Sequence, residues 1–307
     1  MKKYLALLLP LTALSAMGGS FSGAAGTSGS EAISKDSIRF LTWANGNLTP
    51  QYGTDVSESF KTPSKALGKA VGGSGDIVCL GNGGVITLYF PRAIRDGEGA
   101  DFAVFENSFS DTFLELAFVD VSSDGVNFFR FPNRSEGTSV VGAFGSVDPT
   151  TLSGLAGKHR AGYGTPFDLR DLPESGLLDK MNIRFVRVVD IVGDGSVKDS
   201  SGYPIYDPTP TVGSGGFDLE AIGVLNQNEG AFEIVRSEII ASEFLLEWES
   251  NPGSEYMIET SETMNEDWEK VGDFLPSFTS GKSGVMLPLD EAPRRFWRVV
   301  RKPLTTG

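Results

Sequence analysis

Beyond an N-terminal leader, no stretch of this chain repeats apolar residues at i, i+3, i+4 and i+7 over three turns, so an amphipathic helix has nothing to build on. Short runs of Val, Ile, Phe and Tyr recur instead, separated by Gly, Asn, Asp, Ser and Pro, the punctuation of strands and tight turns. Strands are expected at 38–42, 85–90, 102–106, 115–122, 128–131, 183–190 and 217–224. In 85–90, Ile86, Leu88 and Phe90 share one face, whereas 116–121 is apolar on both, as a strand between two layers requires. Ser123-Asp124-Gly125 forms a tight turn that closes a hairpin with 126–129.

Many short strands and 38 glycines specify an all-β class, with a jelly-roll-like β-sandwich over 36–226. A polar stretch, 226–230 (NQNEG), ends it. Residues 231–303 differ in texture, with fewer glycines, three of the four tryptophans and alternation in Phe244–Trp248. A turn at 251–253 and strands at 256–259 and 296–300 complete a small second β-sandwich there.

Lys2 and Lys3, the apolar run 4–17 and the small residues Gly18, Gly19 and Ser20 have the layout of a secretory signal peptide, too short to span a membrane comfortably. Residues 1–25 are expected to be the signal peptide, cleaved between Ala16 and Ala25, with 26–35 a flexible segment rich in small residues. The protein is then secreted, whether extracellular, periplasmic or at the cell surface, and the mature chain has no membrane span. Cys79 is the only cysteine, so no intrachain disulfide staples the fold; its apolar run (77–80) marks it as a buried, inert thiol. A net charge of −14 repels phosphates and argues against nucleic acid as a partner.

The densest polar cluster is 190–207, where Asp190, Asp194, Asp199 and Asp207 punctuate a Gly- and Ser-rich loop. Such oxygens suit Ca²⁺, although the spacing is not that of an EF-hand. Turn formation on a solvated surface accounts for the same residues. His159, the only histidine, excludes a zinc site built on several imidazoles, and no Gly-x-Ser-x-Gly elbow accompanies it. It is expected to be solvent-exposed or to touch a ligand. Tyr163, Tyr203 and Tyr206 lie with it in two long Gly-rich loops, where aromatic faces can stack on a sugar, or simply pack locally. No frame for an acid/base pair is present, and the chain reads as a non-enzyme.

Four stretches carry a resemblance: 81–88 (GNGGVITL), 96–107 (DGEGADFAVFEN), 155–169 (LAGKHRAGYGTPFDL) and 213–224 (GSGGFDLEAIGV). Together they resemble a family of bacterial secreted and cell-surface proteins whose domain is similar to the jelly rolls of carbohydrate-binding modules. The second sandwich is similar to fibronectin-type-III modules. The resemblance implies a structural Ca²⁺ between an early-strand and a last-strand carboxylate, here Glu106 with Asp218 and Glu220. Alternation alone fits these two as solvent-facing. The expected function is a secreted, calcium-stabilised binding module for an extracellular glycan. The alternative is a structural or adhesive protein with a surface protein as partner.

Overall fold

The computed structural model of the chain describes residues 19–73, 75–228, 233–250, 254–263, 268–276, 281–289 and 295–301. Residues 1–18 of the signal peptide expected at 1–25 and the turn expected at 251–253 lie outside the described residues. The chain divides into two compact units, one ending at Asn228 and the other beginning at Glu229.

The first unit runs through β1 (Ile33–Ser34), β2 (Thr42–Trp43), β3 (Gly46–Asn47), β4 (Val78–Cys79), β5 (Val85–Ile94), β6 (Phe102–Glu106), β7 (Ala117–Ser122) and β8 (Phe129–Arg130). It continues with β9 (Arg134–Ser135), β10 (Leu152–Ser153), β11 (Tyr163–Phe167), β12 (Ile183–Asp190), β13 (Asp194–Lys198), β14 (Pro204–Tyr206) and β15 (Asp218–Val224). One sheet has the order β1-β11-β6-β15-β2, with β4 also on β15; the other has the order β3-β5-β12-β7-β8. Between them lies the main core, in which Ile86, Leu88, Val119, Val121, Val186 and Val188 of the second sheet meet Phe102, Val104, Leu219, Ile222 and Val224 of the first. The architecture is an all-β sandwich.

The alternation of β5 is as expected, with Ile86, Leu88 and Phe90 buried. Strands β6, β7 and β15 are buried along their whole length because further chain covers each sheet from outside. Phe40 and Trp43 pack over Ala103, Phe105 and Ala221, while Leu152, Leu155 and Ile205 pack with Leu116 and Phe118. The strand expected at 38–42 is reduced to Thr42–Trp43; Ser37 donates its N–H to Ser34 in a turn, and Ile38 is left 99% exposed. The 190–207 stretch is not one loop but contains the hairpin β13–β14.

Residues 19–35, which span the end of the signal peptide expected at 1–25 and the flexible segment expected at 26–35, are bonded to the sandwich. Phe21 N donates to Thr150 O at 2.9 Å, and Lys35 N to Gly162 O at 2.9 Å. Lys158, only 1% exposed, donates to Ser22 Oγ at 2.8 Å and pairs with Glu31 at 2.6 Å. Arg160 Nη1 reaches Ala25 O at 2.8 Å, and β1 pairs with β11. These residues form a strap. Its residues carry no apolar pattern because the contacts run through its backbone and through polar side chains such as Ser22 and Glu31.

The second unit comprises β16 (Ile234–Ile240), β17 (Glu243–Ser250), β18 (Glu255–Ser261), β19 (Glu269–Pro276), β20 (Gly281–Pro288) and β21 (Phe296–Arg301). Sheets β16-β17-β20 and β19-β18-β21 share a core of Leu246, Trp248, Tyr256, Ile258 and Leu287. Trp248 is fully buried against Tyr256, with ring centroids 5.5 Å apart. Among the described residues, no helix is long and apolar enough to cross a membrane.

A chain beginning at Gly26 loses the Phe21, Ser22 and Ala25 bonds and leaves the Lys158 ammonium one partner short. It is expected to be less stable than a chain beginning at Gly19 by about 2 kcal/mol, which lowers the melting midpoint by roughly 5 °C. Equal midpoints would show that the strap adds nothing to the fold.

Candidate metal centre

Buried carboxylates gather where β4, β6, β12 and β15 end or begin. Glu106 closes β6, Asp190 closes β12, Asp218 opens β15, and Glu115 stands just before β7. Asp207 follows β14. Each is at most 6% exposed. Register explains the meeting, since Asp218 lies opposite Cys79, Leu219 opposite Glu106, and Asp190 opposite Ala117.

Backbone N–H groups hold most of these side chains. Asp190 accepts from Phe217 N at 2.6 Å and Gly83 N at 2.7 Å, and Asp207 from Leu116 N at 2.8 Å. Gly193 (φ +77°) makes room for Asp207, whose Oδ1 would lie 1.6 Å from a Cβ at that position. Glu106 accepts from Ser108 N at 2.8 Å. Asp218 Oδ2 accepts from Asn107 at 3.3 Å, but its buried Oδ1 has no hydrogen-bond donor. The neighbouring Cys79 thiol donates elsewhere, to Gly215 O at 2.9 Å.

Asp120 shows what balance looks like in the same sandwich. It is 2% exposed and clamped by Arg130 at 2.7 Å and Arg187 at 2.9 Å. Among the described residues, no Lys or Arg pairs with Glu106, Glu115, Asp190, Asp207 or Asp218. Without a cation, burial and mutual repulsion push their protons on. Burial, then Asp218 and Asp190, raises Glu115 to about 9; burial raises Asp190 and Asp218 to about 6 each. Glu106 and Asp207 are raised well above the ordinary range, again mainly by burial. Buried charge of one sign needs protons or a cation, and a hard oxygen set suits a divalent ion.

A second group lies elsewhere in the unit. Among the described residues, only Asp96, Asp101 and Asp168 form a set of three whose carboxylate oxygens all come within 4.8 Å of one another, so these three can hold a metal ion as placed, whereas no three of the first group come that close. Asp101 is fully buried and already accepts from Gly97 N, Asn226 Nδ2 and Leu169 N at 2.7–2.9 Å. Arg170 stands 3.8 Å from Asp96 and competes for the site. No family model matches this chain, and no curated protein matches it.

The structure divides the residues nominated from the sequence. Glu106, Asp190, Asp207 and Asp218 enter the buried cluster. Asp194 does not: it is exposed and accepts from Ser196 N within its own turn. Asp199 is buried but acts as a turn clamp, accepting from Ser135 N, Ser201 N and Tyr203 N, with Arg134 at 3.6 Å. Glu220 is buried rather than solvent-facing, and a β-bulge between Leu219 and Ala221 takes it out of phase with Asp218. It accepts from Gly72 N instead. Glu115 was missed because its flanks, Leu114 and Leu116, make it read as an outward-facing strand residue. Asp96 and Asp168 lie in two of the stretches that carry the resemblance, 96–107 and 155–169, but widely apart in sequence, so no local pattern marks them as a pair.

His159 is a correction: it is 1% exposed, and neither ring nitrogen has a hydrogen-bond partner. Burial, then Lys158, lowers its pKa to about 4. The tyrosines do not join it in a sugar platform. Arg160 covers the Tyr163 ring at 4.7 Å, and Arg134 covers that of Tyr203 at 4.1 Å. Tyr206 lies on β14 with its ring against Gly195.

These shifts set a pH dependence. A carboxylate whose folded pKa is raised stabilises the fold below its unfolded pKa, and that stability is lost as pH rises through the folded value. For Asp190 and Asp218 the window runs from 3.8 to about 6, and for Glu115 from 4.5 to about 9. His159 works oppositely, losing stability as pH falls from 6.5 to about 4, so it is silent above 6.5. Urea midpoints in chelator are therefore expected to fall between pH 6.5 and 9. A flat or rising profile there would mean that the cluster is not proton-loaded.

Proposed function

We propose that this chain is a secreted, non-catalytic recognition module whose first unit is ordered by Ca²⁺. The observation that carries the reading is the set of buried carboxylates without a cationic partner, with the orphaned Oδ1 of Asp218 among them. A divalent ion replaces the protons that the cluster otherwise retains, and several oxygens from separate strands suit calcium's loose six-to-eight coordination. Burial argues against catalysis at these groups: at 6% exposure or less, no sugar-sized substrate reaches their oxygens. A cavity of about 260 Å³ lies elsewhere, lined by residues such as Trp43, Phe90, Arg92 and Gln227, with none of the cluster among them.

Between a glycan and a surface protein as ligand, the exposed surface favours the protein. Phe109 and Phe144 are 73% and 88% exposed, and both rings stack on Phe113, with centroids 4.6 and 6.4 Å away. Such a patch suits an apolar protein surface, whereas two of the tyrosines suited to a sugar, Tyr163 and Tyr203, each have a guanidinium against the ring and Tyr206 packs on Gly195.

The test is a thermal melt of the mature protein in Ca²⁺ and in excess chelator. At a hundred times its dissociation constant, a native-specific ion adds about 2.7 kcal/mol and raises the midpoint visibly. Asp218→Asn is expected to abolish the rise and Asp168→Asn to leave it. The reverse pattern would move the ion to the Asp96/Asp101/Asp168 group, and no rise in the parent protein would remove calcium from the reading.

A further inference from the structure

The strap that opens the described structure constrains where a leader can be removed. Small residues stand at the −3 and −1 positions for cuts after Gly18, Ser20, Ser22, Ala24 and Ala25, so the sequence permits all of them. The contacts do not treat them alike. Gly19 N donates to Thr150 Oγ1 at 2.6 Å, and Ser20 bonds to Glu136 through its hydroxyl at 3.1 Å. A cut after Ser20 removes both bonds. Cuts after Ser22 or later also remove Phe21 N→Thr150 O and strip the buried Lys158 ammonium of Ser22.

Only the first of these cuts preserves every contact, and it places a new charge where opposite charge is waiting. Thr150 Oγ1, which accepts from Gly19 N, itself donates to Asp148 Oδ1 at 2.7 Å. Glu136 lies beside it, accepting from Ser20 N at 3.4 Å as well as from the hydroxyl. Among the described residues, neither Asp148 nor Glu136 has a Lys or Arg partner. The approach is also too close for any residue but glycine, since a Cβ on Gly19 would lie 2.1 Å from Thr150 O.

We infer that the leader is hydrolysed between Gly18 and Gly19, and that the Gly19 ammonium so formed is bound in a niche of Thr150, Asp148 and Glu136. Water supplies the hydroxyl to the Gly18 carbonyl carbon and a proton to the Gly19 nitrogen. A peptide N–H there has one donor; an ammonium has three, and its charge offsets the two carboxylates. The inference rests on the secretory reading.

The experiment expresses the complete chain in a secreting bacterial host and reads the exported protein by intact mass and N-terminal sequencing. The expected first residue is Gly19. A start at Phe21, Gly23, Ala25 or Gly26 overturns the inference and leaves secretion standing, whereas a full-length chain retained in the cytoplasm overturns the secretory reading itself. The α-amine of the Gly19 form should also acylate about tenfold more slowly than that of a chain beginning at Gly26, the protection of one charge-assisted hydrogen bond. Equal rates would overturn the niche.

Discussion

The carboxylate of Asp190 joins the two halves of the first sandwich. It sits at the end of β12 in one sheet, bonds to Phe217 N at the start of β15 in the other, and reaches Gly83 in the turn between β4 and β5. A hydrogen bond to a charged group contributes more than a neutral one, so ionised Asp190 is the better fastener. Its burial favours the neutral form. The same conflict recurs at Glu115 and Asp218, and this end of the sandwich is held together by groups whose ideal charge state depends on what else occupies the space.

Much of the fold is legible from pattern alone. Alternation in β5 and two-sided hydrophobicity in β7 follow directly from side-chain direction along a strand. The Asp124 turn is also local, with its carboxylate accepting from Val126 N and Asn127 N. What escapes is non-local. Glu115 looks solvent-facing until Ala117, Val119 and Val121, which share its face, are seen to line the core between the sheets, while Leu114 and Leu116 pack with Leu152 and Leu155 on the other side. His159 looks like a loop residue until the strap closes over its neighbours. Glu220 keeps its strand but changes direction through a bulge, which leaves no mark in a period-two pattern.

The candidate centre was half readable for the same reason. Strand-end carboxylates such as Glu106 and Asp218 are pointed to by the resemblance, since alternation alone turns Asp218 to solvent, and their burial follows from the sheets they terminate. Asp194 and Asp199 share their composition but serve the hairpin and its neighbouring turn, capturing backbone N–H groups within a few residues. Residue type could not separate these uses. The direction of the backbone around each aspartate does.

Cys79 lies in the middle of this arrangement, fully buried on β4, with its proton directed to Gly215 O. Burial, then the charge of Asp218, holds the thiol far from ionising. Only a thiolate reacts quickly with an alkylating reagent, so the side chain is silent while β4 stays paired. A single silent sulfur makes the protein its own clock. Each alkylation event records one opening of the strand, and the slow rate at which a population loses its free thiol counts those openings without any engineered probe.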